Sequence, residues 1–118
     1  MSLLANAFVG LVALLHTYFL ILEMFLWDKP TGRRVFGLTA EMASATKTLA
    51  ANQGLYNGFL VAGLVWGLLR GAEGKDLKLF FLACVVVAGV FGAATANKRI
   101  LFVQALPGLI ALVLTWLS

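Results

Sequence analysis

Four times along this chain an almost unbroken apolar run extends for about the 20 residues needed to cross roughly 30 Å of hydrocarbon. The runs lie at about Leu3 to Trp27, Leu49 to Leu69, Leu77 to Ala96 and Ile100 to Leu117. In a chain of 118 residues they leave room for little else. The expected fold is therefore all-α: a polytopic membrane protein forming a four-transmembrane-helix antiparallel bundle, with one transmembrane domain over 1–118. Composition agrees, being 62% hydrophobic and 12% charged, against roughly 45–50% and about 25% in a soluble domain. A chain this small cannot hide so much apolar surface inside itself. The single cysteine and single histidine exclude a disulfide framework and a one-chain zinc site, so no metal site is expected. The first run has no basic leader, no convincing small-residue cleavage site and too great a length for a signal peptide, and reads as a retained helix.

The connections differ in kind. Asp28 to Arg34 combines charge with Pro30 and Gly32, turn chemistry that ends the first helix. Gly71 to Asp76 is a polar hairpin. Asn97-Lys98-Arg99 is so short that the helices flanking it must be antiparallel neighbours. Thr39 is a plausible N-cap, with Glu41 in the first turn where the helix dipole favours an acid. Nothing after it breaks a helix until Gly54, so Ala40 to Arg70 is expected to form one extended second helix of about 46 Å at 1.5 Å per residue, the alternative being an interfacial helix over 39 to about 51 followed by a bend near Gly54. Its polar start, about 39–51, then projects from the membrane or lies along its surface. Pro107-Gly108 is expected to kink the last helix and free carbonyls near Val103 and Gln104.

The net charge of +4 reads as topology, because the basic residues sit between apolar runs and no aromatic-interleaved basic patch for nucleic acid is present. Lys29, Arg33, Arg34, Lys47, Lys98 and Arg99 fall on one side of a four-span chain, and Arg70, Lys75 and Lys78 on the other. The six-to-three bias places both termini outside the cytoplasm. Small residues recur at spacing four, in Gly54/Gly58, Gly63/Gly67 and Cys84/Ala88/Gly92/Ala96. Such seams allow close helix packing within the bundle or a homo-oligomer contact.

Polar residues inside a span are costly and need partners. His16 and Glu23, seven apart, lie within about 20° on one helix face. The second run carries Asn52, Gln53, Tyr56 and Asn57, with Gln53/Asn57 and Asn52/Tyr56 paired at i, i+4. These six form the candidate ligand-binding set, a shared polar pocket for a small molecule, an ion or a proton. The alternatives are interhelical hydrogen bonds for the amides, a satisfied neutral imidazole for His16, and a pair with Lys29, Arg33 or Lys98 for Glu23. No HExxH, GxSxG or phosphate loop occurs, so no catalytic residue is assigned and no cofactor is indicated.

The stretch Leu14-Leu15-His16-Thr17-Tyr18-Phe19 through Glu23-Met24-Phe25-Leu26-Trp27, with Gly32 to Gly37 and Ala50 to Phe59, resembles the small bacterial membrane proteins grouped as domain of unknown function 1304. The resemblance covers nearly the whole chain and implies four transmembrane helices in the bacterial cell membrane, with no activity attached. A looser similarity, in length, basic first loop and the polar start of the second helix, links the chain to the membrane-associated glutathione and eicosanoid enzymes. Leu55 stands where their glutamate beyond Asn52 would be. Three functions follow as expectations: ligand or ion handling through the intramembrane pocket, a membrane-embedded enzyme, or a structural or regulatory subunit of a larger membrane complex.

Overall fold

Long apolar stretches without internal breakers become long helices, and the computed structural model, which describes residues 2–118, has five α-helices and no strand among them. They are α1 (Ser2–Phe25), α2 (Pro30–Phe36), α3 (Ala40–Leu69), α4 (Lys75–Thr95) and α5 (Leu106–Leu117). A 3₁₀ turn, Gly71–Gly74, precedes α4, and a π-helical turn, Leu101–Ala105, precedes α5. The all-α expectation holds. Two stretches are long and apolar enough to cross a membrane, Leu3–Phe25 and Gly71–Thr95, while Leu101–Leu117 is shorter. The expected second span misses that standard because Asn52, Gln53, Tyr56 and Asn57 dilute its apolar run.

Local chemistry explains the ends. The Met42 amide donates to Thr39 Oγ1 at 3.1 Å, so Thr39 caps α3 as expected, and α3 runs unbroken for 30 residues. The segment 30–36, expected as a turn, is instead a short helix. Pro30 sits in its first turn, where the missing N–H costs nothing, and Gly37 ends it with φ of 64°, a left-handed conformation that glycine adopts freely. The amides of Gly37 and Leu38 both donate to the Arg33 carbonyl. Near Pro107 the distortion takes the form of a widened turn, the Leu106 amide bonding to the Leu101 carbonyl. This relieves the clash of the proline ring with the preceding turn.

The chain packs as two compact units, one made of residues up to Leu15 with Leu60–Ser118, the other His16–Phe59. The first has a core of Val9 and Val12 from α1, Leu64 from α3, Leu82 and Val85 from α4, and Ala111 from α5. One close seam joins α4 to the π turn. A Cβ on Gly89 would come within 2.9 Å of the Ala105 backbone nitrogen. The stripe Cys84/Ala88/Gly92/Ala96 is displaced from this seam, with Ala88 and Ala96 exposed and Gly92 close to Ile100. The α4 and α5 helices run antiparallel, Gly108 against Val85 and Lys75 Nζ reaching the Trp116 and Ser118 carbonyls.

In the second unit the end of α1 runs antiparallel to the start of α3. Gly54 lies under Met24, and a Cβ on Gly58 would stand 3.0 Å from Leu20 Cδ1. Trp27 closes this unit, its indole N–H donating to Thr46 Oγ1 at 2.9 Å and its ring 4.7 Å from that of Phe36.

Candidate functional site

The seam of Gly54 and Gly58 brings α3 close enough to α1 for side chains between them to meet. Asn57 belongs to the inner stripe of α3, in step with Ala43, Ala50 and Gly54, all buried. Its amide Nδ2 donates to Glu23 Oε1. The carboxylate is partly buried, and neither ion pair among the described residues includes it, those being Lys47 with Asp28 and Arg70 with Glu73. A negative group on an apolar helix is thus met by a neutral amide.

The other expected site residues are placed differently. His16 is fully buried and meets the ring of Phe19 edge-on at 5.5 Å. Asn52, Gln53 and Tyr56 are exposed, Asn52 on the opposite side of α3 from Ala50 and Gly54 and Gln53 at the edge of the buried stripe, and the Tyr56 ring lies 6.1 Å from Phe59. Of the six, the structure joins Glu23 and Asn57. Among the described residues no group of three His, Cys, Asp or Glu side chains is arranged to hold a metal.

Just beyond α1, Lys47 Nζ lies 3.2 Å from Asp28. Its hydrogen bond holds the Asp28 carboxyl below the usual value of 3.8.

Sequence reasoning missed a second ionisable group held by an amide, in the first unit. Lys78 is 7% exposed, and its ammonium donates to Asn6 Oδ1 at 2.9 Å. A Cβ on Gly67 would strike the Lys78 stem, so the glycine leaves it room. The signal was available: Lys78, Leu82, Val85 and Gly89 form the buried stripe of α4, at helical spacing. Thr115, on the buried stripe of α5 with Gly108 and Ala111, has a hydroxyl sealed from solvent and unbonded among the described residues.

A protein-family model described as a protein of unknown function, DUF1304, matches residues 10–116. The chain belongs to this family. The resemblance read from the motifs around Glu23 and Asn57 is therefore borne out. This DUF1304 chain is also similar to the uncharacterized protein YpaA of Lactococcus lactis subsp. lactis (strain IL1403), with 30% identity over 115 residues, 96% of this chain and 97% of that protein. No solved structure matches it. Glu23, Asn57 and Lys78 fall inside the matched span, and Asn6 just before it.

Proposed function

We propose that this DUF1304 protein is an integral protein of the bacterial membrane, its four apolar stretches forming an antiparallel four-span bundle with both termini outside. In this reading Glu23 and Asn57 bind a proton or a small cation within it. Exposure supports the membrane placement. Large apolar side chains such as Leu14, Val87, Phe91 and Trp116 are about 70% exposed. In the two long apolar stretches 28% and 22% of the residues are buried, whereas the core helix of a soluble protein would be mostly buried.

One observation carries the site: the Glu23 carboxylate, on the first apolar helix, is bonded to an amide and to no cation among the described residues. Carboxylates inside a span mark ion and proton pathways because an uncompensated charge there is costly. Asn57 fixes one oxygen and leaves acceptor capacity for a proton or a metal cation of single charge. Helix α1 carries no basic residue in its last turn to compete.

The test is the purified protein reconstituted in vesicles, with Glu23→Gln as the comparison, since glutamine keeps an acceptor for Asn57 while losing the charge. Infrared difference spectra between acid and neutral pH, and with and without sodium, should show a carboxyl band that Glu23→Gln lacks. Proton or sodium uptake driven by an imposed potential should fall to the level of empty vesicles in the variant. Spectra and fluxes identical in the two proteins would remove the proposal.

A further inference from the structure

An open recess of about 360 Å³ on the second unit is lined by Pro30, Arg33, Arg34 and Leu38. Two arginines line one small space together with Pro30 and Leu38. The Arg33 Nε is buried and has no hydrogen-bond partner among the described residues, and an unmet buried donor of this kind calls for an acceptor. None comes from the acids of this unit. Glu23 is bonded to Asn57, Asp28 is held by Lys47 at 3.2 Å, and the exposed Glu41 makes no ion pair among the described residues. The backbone bond from Leu38 N–H to the Arg33 carbonyl, at 2.9 Å, ties Leu38 to the arginine.

We propose that this recess seats the phosphate of an anionic phospholipid. Arginine presents planar forked donors that match phosphate oxygens. The exposed Val35 and Phe36 of the same short helix offer apolar surface to the lipid's glycerol and acyl portion, and Trp27 beside Phe36 is the residue type that anchors at a membrane interface. The side chains make this site, not the end of a seven-residue helix. The inference rests on the membrane placement proposed above and is independent of the Glu23 site.

The experiment measures binding of a short-chain phosphatidylglycerol to the full chain in neutral detergent, beside short-chain phosphatidylcholine and inorganic phosphate alone. Phosphatidylglycerol should bind saturably and more tightly than either comparison, and at least about tenfold more weakly to Arg33→Gln and to Arg34→Gln, a loss of about 1.4 kcal/mol. Arg33→Lys keeps the charge without the fork and should fall between. Circular dichroism checks each variant's helix content, and the exposed Arg34 serves if Arg33→Gln does not fold. Equal lipid affinity of wild type and both glutamine variants would overturn the proposal, as would inorganic phosphate binding as tightly as the lipid. Failure of the membrane placement would show separately, as a chain stripped from membranes by alkaline carbonate.

Discussion

Two regions of this molecule solve one problem with opposite signs. In one unit an anion, Glu23, is met by the donor end of the Asn57 amide; in the other a cation, Lys78, is met by the acceptor end of Asn6. Asparagine serves both because its side chain carries donors and an acceptor on one short stem. A neutral amide orients a charge without cancelling it. The regions differ in how far that charge is withdrawn: Glu23 is partly buried, whereas Lys78 is 7% exposed and runs its stem past Gly67. The packing behind them differs too. At Gly89 the neighbour is backbone, Ala105; at Gly54 and Gly58 the neighbours are mainly the flexible side chains of Met24 and Leu20. At these seams the α4 contact is set by backbone, while the contact of α1 with α3 near Glu23 rests on side chains that can shift.

The largest effect expected from this contrast is at the seams. Gly89→Leu should destabilise the protein by more than the roughly 1–3 kcal/mol usual for overpacking, because backbone cannot yield, while Gly58→Leu should cost less as Leu20 moves aside. Thermal unfolding in detergent, followed by helical circular dichroism, ranks the two, and equal losses would erase the distinction. Next come the amides. Asn6→Ala strands a buried ammonium and should cost more than the about 1–3 kcal/mol usual for a neutral buried group, with Asn57→Ala costing less because Glu23 is only partly buried. The same unfolding assay showing Asn57→Ala as the more damaging would invert the comparison. Glu23→Gln should change stability by less than about 1 kcal/mol, since an acceptor for Asn57 remains.

Smallest is the effect of acid on the pair at the end of α1. Because Lys47 holds the Asp28 carboxyl below its usual 3.8, the stability it gives is complete above that value and is lost as pH falls below it through the lowered folded value. The gap in melting temperature between wild type and Asp28→Asn should therefore be small at neutral pH and close in strong acid. A gap that widens in acid would contradict the sign.

How much of this was legible in the residues depended on whether phase or composition was read. Thr39 and the unbroken α3 were legible because capping and the absence of breakers are local properties. The helix α2 was not, since Pro30 and Gly32 read as breakers although proline is welcome in a first turn and Gly32 is buried against the Leu26 carbonyl. Polarity alone groups Asn57 with Asn52, Gln53 and Tyr56, yet only Asn57 is in step with Ala43, Ala50 and Gly54. Charge alone places Lys78 with the loop residues, whereas helical phase puts it in step with Leu82 and Val85. Asn6 stood near the chain's start with nothing local to mark it, since its importance comes from a lysine 72 positions away.

The widened turn at Leu101–Ala105 bears on how such a chain tolerates changes in length. A π turn holds one residue more than the α-helical path it replaces. Removing one residue there can be absorbed by tightening the turn, leaving Gly108, Ala111 and Thr115 on their inward face. The same deletion within α5 rotates everything beyond it by about 100° and turns that buried stripe outward. Length variants of this last helix should therefore survive when the lost residue lies between Leu101 and Ala105, and fail when it lies after Gly108.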